Sequence, residues 1–444
     1  MSNELLAGFA RVDITPTESV PLAGYGATST RMSQNVLSPL YSTCLALTDG
    51  SGNTVLFFQN DLCITPAHFA KAVRQAVSSK TGVAASNVMV SATHTHSGPD
   101  LNNDDEPAIP CYIKTVTEKM AQCAVDALAD RKPATMAVGR VNTENLTFTR
   151  HYVQENGNVV GDNFGDKKAS PIVGHTVEAD RQLQIIRFMR MEKDIVLMNF
   201  GTHPIRTGSA KRYEVSADIV GACREKMEQT LNCNFQYFTG AAGDQSAVSR
   251  IPEENLCADY IEHGEKLADY ALQLMDRLTP VKSGQIKVQE RNVECIYDYD
   301  DGDLLQYTNL VFDAYKNGGA LEANKVGRPL GINSIYHARA ILRRSRNTEH
   351  STTMAISAVA VGDVAFVLAP FEMFGGTGKA IKAGSPYGMT FVHGLSNGHH
   401  GYLASEAAFE HGCYEVDHRF FVRGTAEKIA NAFLDILRNM KETE

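Results

Sequence analysis

An α/β fold, with a mixed β-sheet core covered by helices, is the class this sequence predicts, and three observations predict it. Short runs rich in β-branched and aromatic residues alternate along the chain with longer stretches of helical periodicity. The strand-like runs are apolar throughout rather than at every second position, as suits a sheet buried on both faces. The chain has 444 residues with no repeat, low-complexity tract or Pro/Ser-rich linker. A single large α/β body reaches that size, so residues 1–444 read as one domain.

The strand candidates are residues 54–59, 87–92, 195–200, 235–239, 355–361, 364–368 and 389–393. The helix candidates are residues 66–79, 112–130, 217–231, 255–278 and 425–440, each with apolar residues at three- and four-residue spacing. Helices interleaved with buried strands give the α/β class. Two stretches read as long loops. Residues 154–180 are rich in Gly, Asp and Asn, and residues 297–334 mix acidic residues with Gly. Loops of that length in a compact domain often face a substrate, and plain surface elaboration is an equal alternative.

Composition narrows the function. The chain is 43% hydrophobic and 21% charged, with a formal net charge of −9 and a pI near 5.9. An acidic balance argues against nucleic acid or an anionic membrane surface as the main partner and leaves a small-molecule substrate. Arg343, Arg344 and Arg346 form the one basic cluster and read as a solvated helix face. The N-terminal residues have no charged region followed by a long apolar core, so no secretory signal is read. No apolar run approaches the roughly 18–20 residues that span a bilayer, so no stable membrane insertion is expected. Nine cysteines lie singly between Cys44 and Cys413 without a C-x-x-C pair. That usage predicts reduced thiols in a cytoplasm. A homo-oligomer is compatible with all of this.

The polar residues collect just after the strands. Residues 87–92 run into Thr93-His94-Thr95-His96-Ser97-Gly98-Pro99, and residues 195–200 into Gly201-Thr202-His203-Pro204. Residues 235–239 run into Gly240-Ala241-Ala242-Gly243-Asp244-Gln245-Ser246, and residues 364–368 into Ala369-Pro370-Phe371-Glu372. Residues 389–393 run into Gly394-Leu395-Ser396-Asn397-Gly398-His399-His400-Gly401-Tyr402. Ligands of α/β sheets sit beyond the carboxyl ends of strands, so five such ends point to one shared site. Two or three histidines with a carboxylate make a catalytic divalent metal site that keeps one position open. His94 and His96 point the same way if the chain between them stays extended. His203 and Glu372 come from two further strand ends. Each histidine alone reads as a loop residue bonded to backbone, and their convergence moves a metal site ahead. Ser246 lacks a G-x-S-x-G elbow and, on spacing alone, reads as structural. Asp218 or Asp244 is a candidate to orient a ligand histidine from behind.

From Ala10 to Tyr414 the chain resembles the neutral, non-lysosomal ceramidases. The matching pieces are Arg11-Val12-Asp13-Ile14-Thr15-Pro16, Gly24-Tyr25-Gly26, Thr93-His94-Thr95-His96-Ser97-Gly98-Pro99, and His203-Pro204. The match continues through Ser216-Ala217-Asp218, Gly243-Asp244-Gln245-Ser246, Phe371-Glu372, Gly401-Tyr402 and Tyr414-Glu415. The resemblance implies a neutral-ceramidase-like catalytic domain and a zinc ion held by His94, His203, Glu372 and Tyr402. It also implies that His96, Arg150 and Tyr414 stabilise a tetrahedral intermediate, and it places Ser246 in the family's Gly-Asp-x-Ser motif. The family also carries a C-terminal immunoglobulin-like domain. This sequence stops after one amphipathic helix, so a relative confined to the catalytic core is expected, with a soluble substrate preferred over ceramide.

The implied chemistry is hydrolysis of an amide or amide-like bond by a metal-activated water, with no separate nucleophile. Two alternatives stand beside it. One is a zinc hydrolase of a small soluble ester, lactone or other non-ceramide substrate. The other is a sugar- or lipid-binding protein that uses the same fold without turnover.

Overall fold

The computed structural model describes residues 5–25, 31–103, 105–208, 211–282 and 284–442. Gly26 of the Gly24-Tyr25-Gly26 match lies outside them.

Nine strands form one large mixed sheet: β1 (Leu5–Asp13), β2 (Tyr41–Thr48), β3 (Thr54–Asn60), β4 (Val88–Ala92), β5 (Lys132–Asn142), β6 (Gln182–Met189), β7 (Ile195–Phe200), β8 (Asn234–Thr239) and β9 (Thr279–Val281). Their order is β8-β7-β6-β5-β1-β2-β3-β4, with β9 alongside β5. The pairs β3/β4 and β7/β8 are parallel and the others antiparallel. A second sheet holds β10 (Ile286–Ile296), β11 (Ser351–Val361), β12 (Val364–Leu368) and β13 (Met389–His393) in that order, with β12/β13 parallel.

Helices cover the outer faces. On the large sheet lie α1 (Ala67–Thr81), α2 (Ala108–Ala129), α3 (Asp218–Leu231) and α4 (Tyr260–Leu272). Between β10 and β11 the chain inserts α5 (Thr308–Gly327) and α6 (Ile335–Arg346), which share a small core of Val311, Ala323, Ile332, Ile335, Ala338 and Ile341. On the small sheet lie α7 (Gly375–Gly384) and α8 (Thr425–Glu442). Among the described residues no helix is long and apolar enough to cross a membrane.

The two sheets pack face to face, which explains the apolar runs. In β3, Leu56 and Phe58 face the helices while Val55 and Phe57 face the other sheet. In β12, Ala365 and Val367 face α8 while Val364, Phe366 and Leu368 face the large sheet. Period-two alternation is present, but both sides are buried and no polar residue marks it. Phe57, Phe238, Phe366 and Phe391 stack between the sheets with ring centroids 4.8–6.0 Å apart. Burying such a ring contributes roughly 1.5–3 kcal/mol.

Helix ends follow local capping chemistry. Gly82 takes φ 76° and its N–H returns to the Ser78 carbonyl, which stops α1. The Asp259 side chain accepts from the N–H groups of Ile261 and Glu262, so α4 begins at Tyr260 rather than at 255.

Three expectations need correction. Residues 297–334 are not a loop: they contain all of α5, broken at Gly319 where φ is 68° and ψ −160°. Part of residues 154–180 forms strands, with Val159–Gly161 and Ile172–His175 flanking His151–Gln154 in a three-stranded sheet. The basic cluster is not uniformly solvated. Arg343 and Arg346 are exposed, but Arg344 is buried and places Nε and Nη2 on the two oxygens of Asp301, each at 2.6 Å.

Candidate active site

The carboxyl ends of both sheets supply the site. His94 and His96 follow β4, His203 follows β7, Glu372 follows β12, and His399 and Tyr402 follow β13. Short bonds stitch these ends together: Thr239 Oγ1 donates to the Thr93 carbonyl at 2.6 Å, and the His96 N–H to the Pro204 carbonyl at 3.3 Å. Glu372 and Tyr402 are direct partners in a two-residue parallel pair, Glu372–Met373 with Tyr402–Leu403.

The His94-Thr95-His96 segment is not extended. His94 has φ 71°, an unusual backbone for a residue with a Cβ, held here by tertiary contacts. Both rings nonetheless reach the same place through this turn, with Nε2 atoms 3.4 Å apart. The rings of His94, His96 and His203 lie 4.6–5.5 Å from one another.

His94, His203 and Glu372 are all buried, with donor atoms within 4.8 Å of one another. His94 Nδ1 lies 2.6 Å from the Cys63 carbonyl. That bond calls for a proton on Nδ1 and turns a lone pair on Nε2 toward the cluster. His94 Nε2 and His203 Nε2 stand 3.2 and 3.4 Å from Glu372 Oε2, in contacts not aligned as hydrogen bonds. A buried carboxylate oxygen without an aligned donor is costly in itself. Two imidazole nitrogens and a carboxylate oxygen facing one point fit a divalent metal, the donor set of His₂Glu sites. These buried groups could therefore hold a metal ion.

Electrostatics agrees with that donor set. Burial pushes His203 down to about 4, helped by the nearby Arg150 charge, so its ring is neutral at neutral pH. Burial opposes charge on His94 and Glu372 as well. Their mutual attraction overrides it, raising the first and holding the second well below the usual carboxylate range. A cation would replace the proton that His94 holds in this pair.

The remaining sequence-derived residues gather around this cluster. Arg150 Nη1 is 3.4 Å from His203 Nε2, and its guanidinium carbon is 5.4 Å from the Tyr402 ring centre. The Tyr402 and Tyr414 rings are 5.9 Å apart. Burial drives both phenols above their ordinary range, with the Glu372 charge adding to it. Ser246 lies in a two-residue pair with Phe148, next to Arg150. Its hydroxyl donates to the Val248 carbonyl at 2.8 Å and accepts from the Val248 N–H at 3.1 Å.

Asp218 and Asp244 do not orient His94 or His203. Asp218 accepts from the N–H groups of Arg206 and Thr207, bracing the loop after His203, and Asp244 Oδ1 caps α7 by accepting from the Gly375 N–H at 2.7 Å. The orienting group on His94 is the Cys63 carbonyl, a backbone atom with no sequence signature.

Two groups at the site escaped the sequence reading. His399 Nε2 bonds Glu372 Oε1 at 3.0 Å, on the oxygen turned away from His94 and His203. Its only signal was a His-His pair between two glycines after a strand. Glu415, next to Tyr414, takes Arg150 on one carboxylate oxygen and His151 on the other.

Comparison with known proteins gives a consistent answer. The sequence model of a family described as neutral/alkaline non-lysosomal ceramidase, N-terminal, matches residues 5–257. The neutral ceramidase from Pseudomonas aeruginosa superposes with a TM-score of 0.74 at 16% identity, covering 100% of this chain and 75% of that one. A ceramidase complexed with C2 superposes with a TM-score of 0.75 at 15% identity, covering 100% of this chain and 76% of that one. At such identities the structural likeness is one of fold.

Proposed function

The chain belongs to the neutral/alkaline non-lysosomal ceramidase family and is a ceramidase-like hydrolase, and from that premise we propose that it cleaves an amide-type bond of a small-molecule substrate with one zinc ion held by His94, His203, Glu372 and Tyr402. The observation that carries this reading is the buried Glu372 Oε2, faced by two imidazole Nε2 atoms at 3.2 and 3.4 Å. A zinc ion there would supply Lewis acidity toward a carbonyl and water acidified to a pKa of roughly 7.

The chain's own residues do the rest. Neutral His203 and the Nδ1-anchored His94 present lone pairs, and Glu372 supplies the compensating charge. Arg150 Nη1, beside His203, and the Tyr414 hydroxyl are donors for the negative charge that grows on a carbonyl oxygen during attack, and His96 is the third. Groups of this kind are worth about 3–4 kcal/mol each when pre-aimed in a site that excludes water. Ser246, closed on its own loop, shapes the strand pair that carries Arg150.

We take the two sheets, which share one core, as a single catalytic domain. We also place the enzyme in a reducing compartment, the cytoplasm, because all nine cysteines are free and eight are buried.

The test is elemental analysis of protein purified without added metal, followed by a panel of ceramide in detergent, short acyl amides, esters and lactones. About one zinc per chain and hydrolysis of an amide are expected. Protein without a transition metal, or active with every ligand substituted, overturns the reading.

A further inference from the structure

The hydrolytic reading leaves Arg150 with an unsolved geometric problem. A guanidinium has five N–H donors in a flat fork, and only one edge of it can face a developing charge. Arg150 is buried, and burial opposes its charge. Something must hold the other edges.

We propose that Glu415 is the positioning residue for Arg150 and selects the edge that faces the metal cluster; the proposal rests on the hydrolytic reading above. Glu415 Oε1 accepts from Nε of Arg150 at 2.6 Å and forms an ion pair with Nη2, also at 2.6 Å. Nη2 also donates to the Gly243 carbonyl at 2.8 Å. Two of the three nitrogens are thereby committed on the side away from the site. Nη1 is left to point at His203 Nε2, 3.4 Å away.

Glu415 is itself held from behind. It is 1% exposed, and its second oxygen bonds His151 Nε2 at 2.7 Å. Its backbone belongs to the short helix Tyr414–Asp417, so the residue that aims Arg150 is adjacent in sequence to Tyr414. The contact runs between residues 265 positions apart and ties Arg150 and Tyr414, two of the three oxyanion donors, into one unit.

The donor atoms of His151, Cys413 and Glu415 are also close enough to hold a cation. Arg150 already occupies that charge position at 2.6 Å, and a cation there would have to displace it against like-charge repulsion. Occupation by a metal is therefore a rival outcome of the test.

The test is a double-mutant cycle on the best substrate of the panel, with Glu415→Gln, Arg150→Ala and the pair. Each protein is measured for kcat, KM, metal content and thermal midpoint. Glu415→Gln keeps the shape and the bond to His151 but removes the charge that fixes the fork. We expect kcat to fall about a hundredfold, the cost of a misaimed catalytic group, with KM and metal content little changed. The double variant should be no worse than Arg150→Ala alone, because the two residues act as one. Losses that multiply overturn the proposal. A second zinc equivalent that disappears in Glu415→Gln also overturns it, in favour of a metal site.

Should Glu415→Gln fail to fold, Arg150→Ala alone still decides. Added guanidinium should restore part of its activity, because the carboxylate holds a fork, whereas methylammonium should not. Equal rescue by both refutes positioning by Glu415. A wild-type enzyme inactive on the whole panel refutes the hydrolytic reading instead, before any variant is compared.

Discussion

Replacing Ser246 with alanine separates two mechanisms by magnitude. Ser246 is 2% exposed, and both hydrogen bonds of its hydroxyl run to Val248. Its proton is spent on a backbone carbonyl, and no histidine among the described residues bonds its oxygen. A serine nucleophile needs a base at that oxygen. Losing the two bonds should cost about 0.5–1.5 kcal/mol of stability each. If Ser246 shapes its loop or holds a substrate hydroxyl, the rate should fall by about ten- to a hundredfold, the equivalent of ~1–3 kcal/mol. Removing a nucleophile typically costs about a millionfold in kcat. About four orders of magnitude separate the cases. The assay is kcat on the preferred amide, with metal content measured on the same preparation. We expect Ser246→Ala to keep measurable turnover and full metal. An acyl group trapped on Ser246, seen as added mass on that peptide, would refute the reasoning. A fully metallated variant without turnover would do the same.

Three further outcomes follow from the geometry. A Cβ on Gly243 would fall 2.4 Å from the Glu372 carbonyl oxygen and 2.9 Å from its carbon, so Gly243→Ala must push the Glu372 strand away. Metal affinity should drop by about 10–100-fold, as for other supports of a ligand; undiminished affinity in a metal titration would show that this close approach is irrelevant. Burial raises Asp417 from 3.8 to about 7, so between those values the folded chain keeps a proton that the unfolded chain has released. Wild-type stability therefore falls as pH rises through that window, whereas Asp417→Asn has no such proton to lose. The variant's relative stability in urea should climb from about pH 4 to 7 by up to roughly 4 kcal/mol, three units at ~1.4 each. A difference independent of pH contradicts this. Arg344→Met strips Asp301 of its two 2.6 Å guanidinium bonds, leaving Arg419 Nη2 at 3.6 Å, and should cost about 3 kcal/mol in urea unfolding, the low end for a broken buried pair, whereas a solvated arginine would cost almost nothing.

What was legible in the sequence depended on whether the signal was local. The predicted strands at residues 195–200, 364–368 and 389–393 match β7, β12 and β13 to the residue, because both faces of each are buried and the runs are mostly apolar. Strands β5 and β10 were missed for the opposite reason. β10 carries Lys287, Gln289, Glu290, Arg291, Asn292 and Glu294 along the edge of the small sheet, half exposed and without an apolar run. β2 was missed although buried, because Ser42 and Thr43 near its start and Thr48 at its end shorten the apolar run.

The site divides along the same line. The structure brings His94, His203 and Glu372 together, and the sequence could place them at one point because each follows a strand, and strand ends of one sense gather at one edge of a sheet. Tyr402 came from resemblance alone: it lies nine residues past β13, and its partnership with Glu372 depends on a two-residue pairing that no run of residues announces. His399 and Glu415 were in view, quoted within motifs, yet unassigned. Their roles are bonds to other side chains, at Glu372 and at Arg150, and a bond between residues 265 positions apart has no local signature. The φ of His94 is of the same kind, since the strain is supported by contacts to Leu62 and Cys63 from another loop. The donor set draws His94 and His203 from the large sheet and Glu372 and Tyr402 from the small one. A metal held by all four would thus join the two sheets, and its affinity would report how they pack. A cavity cut between the sheets at Phe57, remote in sequence from every ligand, would then weaken metal binding as well as the fold.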